Sequence, residues 1–139
     1  MKRDWDLLRK QLTTIEEENN HLADIPEEPK WLDQSEEDYQ QQYENYRAIE
    51  SRIGGHLELL INGGYVEGLH VLRSVDGQFS FGLSAPRLTM AGHDLLETMR
   101  SATIWESIKS SAKKKGIELT FDAIKVLSTA ALKHVVSSA

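Results

Sequence analysis

The stretch HLELLINGGYVEG, residues 56–68, decides how the rest of the chain is read. Leu57 and Leu60 lie three apart, as one apolar face of a helix requires, and Gly63-Gly64 follows where a helix end needs a left-handed residue. Beyond the glycines the period changes. Tyr65 to Arg73 (YVEGLHVLR) alternates imperfectly and is rich in branched and aromatic residues, which suits a strand. Ser74-Val75-Asp76-Gly77 is a turn signal, with Asp-Gly its strongest pair. Gln78 to Leu88 then reads as the partner strand, with Phe79, Phe81 and Leu83 on one face and Pro86 at an edge or just past it. A third helix that ends in a glycine turn and is followed directly by a two-stranded hairpin is the core pattern of a winged helix.

Upstream, the apolar stripe extends back through Ile53, Ile49, Tyr46, Tyr43 and Tyr39 to Ser35, which with Asp38 resembles a capping box. Gly54-Gly55 interrupts the stripe. Glycine costs about 1 kcal/mol against alanine inside a helix, so the pair signals a break, a kink or a close contact. Two helices, roughly 36–46 and 48–62, are expected, with one long helix as the alternative. Residues 20–34 include the acidic run DIPEEPKWLD and read as an ordered loop tied down by Trp31 and Leu32. Before it, Asp4 is a plausible N-cap for a helix carrying Trp5, Leu8, Leu12 and Ile15 on one stripe and failing near Asn19-Asn20.

Downstream, Thr89 is an N-cap candidate for a helix that buries Leu95, Leu96 and Met99. Ser101 or Thr103 opens the next, with Ile104, Trp105, Ile108 and Ala112 inward and Gly116 at its end. Thr120 caps the last, where Phe121, Ile124, Leu127, Ala131 and Val135 share a face. The expected fold class is mainly α with a small β-hairpin (α+β), a winged-helix-like core with additional N- and C-terminal helices. One domain of 139 residues is expected: helix and acidic loop 1–34, helix-helix-wing core 35–89, and C-terminal helices 90–139.

Composition narrows the function classes. The chain has no cysteine, so neither disulfides nor thiolate metal sites contribute, which fits a reducing compartment. The N-terminus MKRDWDLLRKQL lacks an apolar signal core, and no apolar run approaches the roughly 20 residues that span a bilayer. A cytoplasmic protein without membrane contact is expected. Net charge is -6, unevenly spread: residues 1–60 hold fifteen acids against seven bases, residues 61–139 seven against nine. An acidic first half argues against a broad nucleic-acid footprint there, because phosphate neutralisation needs clustered Lys and Arg.

Two stretches resemble known proteins. HLELLINGGYVEG is similar to the recognition-helix exit of bacterial winged-helix repressors, and LTMAGHDLLETM, residues 88–99, to the segment after their wing. With MKRDWDLLRK at the start, LTMAGHDLLETMRSATIWESIK after the wing and the terminal helix, the chain resembles the phage and prophage proteins grouped as domain of unknown function 2513. That resemblance implies a winged-helix-like fold and a phage or prophage origin in a bacterial host cell, and leaves the activity open.

The repressor likeness makes a DNA-binding transcriptional regulator, with duplex DNA as its partner, the first expectation. Helix 48–62 would enter the major groove, presenting Glu50, Ser51, Arg52, Gly55, His56 and Glu58. Arg52 is the strong base or phosphate partner among them, Glu50 and Glu58 oppose phosphate, and Arg73 and Arg87 would add contacts from the wing. The candidate DNA-binding set is therefore Ser51, Arg52, His56, Arg73 and Arg87. The alternative is a non-enzymatic adaptor or inhibitor that binds a host or phage protein through Trp31, Tyr39, Tyr43 and Tyr46 in the acidic half, since tyrosine is enriched at interfaces. A homodimer through the terminal helices is a further expectation.

Other features read as structural. Lys113-Lys114-Lys115, with Lys109 a turn earlier, offsets a helix dipole ahead of Gly116. The five histidines, His21, His56, His70, His93 and His134, lack metal-ligand spacing, although His56 and His93, beside Asp94, would meet if the hairpin folds back. No Gly-x-Ser-x-Gly turn and no phosphate loop occurs. No enzyme, cofactor or metal is expected.

Overall fold

The computed structural model describes residues 1–32, 34–82 and 85–138, without the side chains of residues 132 and 134–138. Leu83 and the side chains of His134 and Val135, all singled out in the sequence, lie outside the described residues. Helices α1 (Trp5–Glu16), α2 (Glu36–Asn62), α3 (Met90–Arg100), α4 (Ala102–Lys115) and α5 (Phe121–Ser138) alternate with strands β1 (Val66–Glu67), β2 (Val71–Arg73), β3 (Phe79–Phe81) and β4 (Arg87–Leu88) between α2 and α3. The class is α+β, mainly helical, as expected, but two helices rather than the expected three precede the hairpin. None of the described helices is long and apolar enough to cross a membrane. The chain divides into two compact units, residues 1–93 and 94–139, with the divide inside α3.

In the first unit α1 starts where Asp4 caps it: the Asp4 carboxylate accepts from the Asp6 and Leu7 amides. Leu8, Leu12 and Ile15 are buried, and so is Gln11 on the same side. The helix ends at Glu16, earlier than the expected Asn19-Asn20. Three successive carboxylates, Glu16 to Glu18, oppose the negative C-terminal end of the dipole, and Glu18 turns to a positive φ of 59°. The loop is then held by the Asn20 side chain, which accepts from the Leu22 amide, by the Lys10–Asp24 pair, and by half-buried Leu22 and Ile25. Trp31 and Leu32 are not buried anchors, although Trp31 touches α2 edge-on at Tyr39. They are 57% and 69% exposed.

The region read as two helices is one, the 27 residues of α2, about 40 Å long. Ser35 caps it by accepting from the Asp38 amide. Gly54-Gly55 lies inside the helix because close contact, not a break, demands it. A Cβ on Gly54 would stand 2.6 Å from the ring of buried Phe79, whereas one on Gly55 would meet the flexible ends of Met1 and, at ordinary contact distance, Arg73.

After α2 the left-handed turn falls on Gly64, φ 79°. Each expected strand is divided in two. β1 pairs antiparallel with β4, Val66 opposite Leu88, and β2 with β3, Val71 opposite Phe81. The Val66–Leu88 and Val71–Phe81 pairs belong to registers two residues apart, so the two ladders do not form one continuous pairing. Phe79 is buried with Phe81 stacked beside it, and Ser80 between them faces solvent, as alternation requires.

Thr89 joins the hairpin base to α3. Its amide donates to the Tyr65 carbonyl, its hydroxyl donates to the Gly64 carbonyl, and that hydroxyl accepts from the Gly92 amide at 3.0 Å. Gly92 is required here: a Cβ would lie 2.0 Å from the Tyr65 carbonyl oxygen.

In the second unit, Ser101 rather than Thr103 caps α4, accepting from the Ile104 amide. Gly116 ends it in the left-handed region, and the Thr120 hydroxyl accepts from the Ala123 amide at the start of α5. Packing of α4 against α5 buries Trp105, Ile108 and Ala112 on one and Ile124, Leu127 and Ala131 on the other.

Gly92→Ala and Gly54→Ala are each expected to lower unfolding free energy by about 1–3 kcal/mol or more through overpacking. Gly55→Ala should be neutral or raise stability by up to about 1 kcal/mol, as helix propensity predicts. Urea denaturation of the three variants checks the order; equal losses at Gly54 and Gly55 would contradict the assigned contact.

Candidate interaction surface

Each arginine of the DNA-binding set holds a carboxylate. Arg52 pairs with Asp4, Arg73 donates through Nε and Nη2 to Glu58, and Arg87 donates to Glu67 at 2.7 Å. Because of the Glu58 bond the Arg73 guanidinium binds its proton more tightly than usual. Such exposed pairs are individually weak, because water and salt screen them. Their consequence is electrostatic: a phosphate approaching any of these guanidinium groups meets the partner carboxylate too.

His56 is not exposed but 1% accessible, and Gly55 is buried beside it. The His56 Nε2 accepts from the Asp4 amide at 2.8 Å, so Nε2 is bare and the proton sits on Nδ1, facing the Arg52 carbonyl at 2.7 Å. Asp4 thus serves twice, capping α1 with its side chain and anchoring to α2 through its amide. Hydrogen bonds from the Leu7 amide, together with Arg52, hold its carboxyl below the usual carboxylate range. Of the residues expected to face a groove of DNA, Ser51, Arg52 and half-buried Glu58 retain access.

Glu50, the third displaced residue, is 5% exposed. Its Oε1 accepts from the Phe79 amide at 3.1 Å and its Oε2 from the Tyr46 hydroxyl at 2.5 Å. The Glu50 bond, with burial and nearby charge, pushes the Tyr46 hydroxyl up to about 12. The signal was present in the sequence, because Glu50 stands four after Tyr46 and three before Ile53, on the buried stripe. Gln11 follows the same logic on α1, donating from Nε2 to the Ile53 carbonyl.

The four aromatic residues of the protein-binding set are brought together. Trp31 meets Tyr39 edge-on at 4.9 Å between ring centroids, Tyr39 stacks on Tyr43 at 5.9 Å, and Tyr43 lies 6.2 Å from Tyr46. The inner end of this ladder is fastened to the hairpin, where Gln78 donates to the Tyr43 hydroxyl. The outer end projects into solvent at Trp31. Beside it runs an open groove lined by Glu27, Glu28, Pro29, Lys30, Leu32 and Asp38, among others. Glu36 and Glu37 extend the acidic rim along the first turn of α2.

The histidines do not converge. His93 faces Glu16 at 3.6 Å while His56 keeps the partners described above. Burial holds the His21 imidazole below its ordinary value. Among the described residues no three His, Cys, Asp or Glu side chains cluster as a metal site would. Lys113 to Lys115 are exposed in the last turn of α4, the position that complements its dipole.

A family model described as "Hypothetical protein (DUF2513)" matches residues 2–118. The chain belongs to the DUF2513 family. An uncharacterised protein of Haemophilus influenzae is 28% identical over 126 residues, covering 90% of each chain. No solved structure matches. The DUF2513 match takes in the capped α1, the aromatic ladder, the hairpin and α4.

Two outcomes test this geometry. Asp4→Ala should cost about 1 kcal/mol by removing the cap, while Asp4→Asn keeps the cap and should lose less, as chemical denaturation would show. In an alkaline absorbance titration one of the four tyrosines should ionise late, near 12, and Tyr46→Phe should abolish that step. The sign follows from a hydroxyl whose folded pKa exceeds its unfolded value. Its stabilisation is complete below about 10 and is lost as pH rises through about 12.

Proposed function

We propose that this DUF2513 chain is a non-enzymatic protein-binding module that docks a partner through its acidic N-terminal half. A phage or prophage origin and action on a bacterial host protein in the cytoplasm belong to the same proposal. The observation that carries it is Trp31, 57% exposed at the free end of an aromatic ladder, between Lys30 and Leu32, which line a groove that also holds Glu27, Glu28 and Asp38. Tryptophan and tyrosine dominate interface hot spots because they bury large, rigid surfaces at low entropic cost. A solvated linker gains nothing from such a residue. The arginines on which a phosphate contact would depend each lie against a carboxylate instead.

A second reading, a DNA-binding transcriptional regulator acting as a homodimer, is favoured by one observation: α2 leads through Gly64 directly into the hairpin, as a recognition helix leads into a wing. In that reading Ser51, Arg52, Arg73 and Arg87 carry the contacts, and their carboxylate partners must first be displaced.

One comparison separates the readings. The full chain is presented to a random peptide library and to a random duplex DNA pool, at low and moderate salt, alongside Trp31→Ala and Arg52→Ala. Enrichment of peptides that weakens about tenfold or more in Trp31→Ala, with no selected DNA motif, is the expected result. Salt-sensitive selection of a DNA motif that disappears in Arg52→Ala, with no peptide enriched, would overturn it.

A further inference from the structure

We infer that the occupant of this surface is a basic, arginine-bearing segment of the partner protein, with a guanidinium laid over Trp31 and its flanking cations set against Glu27, Glu28 and Asp38. The inference rests on the protein-binding reading above and names the chemistry of the partner.

The other tryptophans show how the chain treats such rings. Arg3 sits over Trp5, 5.8 Å from the ring centroid, and Lys109 over Trp105 at 5.7 Å. Arg73 covers Phe79 at 4.7 Å. Within the ladder itself Arg47 lies over Tyr43 at 6.0 Å, steered there by its Nη2, which donates to the Asp76 carbonyl at 2.6 Å. Trp31 alone of the three tryptophans has no cation over it among the described residues, although tryptophan presents the best face for one. The inner end of the ladder is filled from within; the outer end is open.

Charge selects the same occupant. Among the described residues that line the groove beside Trp31, Glu27, Glu28 and Asp38 stand against the one cation Lys30, and Glu36 and Glu37 continue the rim. The negative field reaches the ladder, since Glu28 is among the charges that help keep the Tyr46 hydroxyl protonated. Nucleic acid and acidic peptides are repelled from this face. A neutral apolar segment would cover Trp31 and Leu32 while leaving the carboxylates without partners. Only a basic segment satisfies both the rings and the rim, and arginine does so better than lysine because its planar, weakly hydrated guanidinium stacks on aromatic faces.

The test uses the full chain and three labelled peptides of one unstructured sequence, with arginine, lysine or glutamine at the same positions, followed by fluorescence anisotropy at low and moderate salt. The arginine peptide should bind most tightly, the lysine peptide more weakly, and the glutamine peptide not measurably. Trp31→Ala should weaken arginine-peptide binding about tenfold or more. The double variant Glu27→Gln/Glu28→Gln should weaken it and flatten its salt dependence. All substituted side chains are solvent-exposed, and an unchanged thermal melt confirms that each variant is folded. Equal binding of the glutamine peptide, or arginine-peptide binding indifferent to Trp31→Ala, overturns the inference. If the peptide library then yields neutral apolar sequences that still depend on Trp31, the protein-binding reading stands and only the basic occupant falls. No enrichment of any peptide removes both.

Discussion

The carbonyl of Tyr65 is the point on which the first unit turns. It leaves the glycine turn after α2 and accepts the Thr89 amide, while the first turn of α3 presses so close that only Gly92 fits. Thr89 closes the junction by capping α3 and donating to the Gly64 carbonyl. β1 and β4 can pair only because this clamp sets their base, and the two ladders of the hairpin follow from it. The stretch HLELLINGGYVEG and the start of LTMAGHDLLETM, separated in the chain by the whole hairpin, are two halves of one contact.

Electrostatics then divides the molecule's surface by use. In the first unit, three guanidinium groups are held by local carboxylates: Asp4, Glu58 and Glu67 take Arg52, Arg73 and Arg87 into pairs that fasten α1 to α2, strand to helix and strand to strand. The carboxylates left over cluster around the loop and the first turn of α2. A buried carboxylate, Glu50, couples these regions, since one oxygen holds the hairpin at Phe79 and the other holds the aromatic ladder at Tyr46. Losing one partner of such a buried charge would leave the other unsatisfied, which is why both oxygens are engaged.

The same long helix therefore does two jobs. Its second half is walled in by α1 and the hairpin, with Ile53, Gly54, His56, Leu57 and Leu60 buried. Its first half keeps the tyrosines half-exposed and supports Trp31. A recognition helix would need the opposite arrangement, with polar side chains free where α2 meets the hairpin. The placement of buried and open surface along α2, more than net charge, is what supports the proposed protein-binding role.

Much of the fold was legible from local chemistry. Asp4, Ser35, Ser101 and Thr120 cap helices because a short polar side chain before an apolar period has few other uses, and Gly64, Gly77 and Gly116 adopt positive φ where turns require it. The aromatic stripe was legible as well, since helical spacing alone puts Tyr39, Tyr43 and Tyr46 on one face. What local patterns could not reveal depends on which surfaces meet. Gly54-Gly55 looks like a break until Phe79 is seen against it, and Trp31 looks like an anchor until its exposure is known. Glu50 and His56 look like exposed polar residues of a recognition helix until the Phe79 and Asp4 amides supply their partners from 29 and 52 residues away. The pairing of the arginines belongs here too, because Asp4, Glu58 and Glu67 reach them only once the helices and strands are packed. Caps, turns and periodicity are set by neighbours along the chain; burial and pairing of charge are set by neighbours in space.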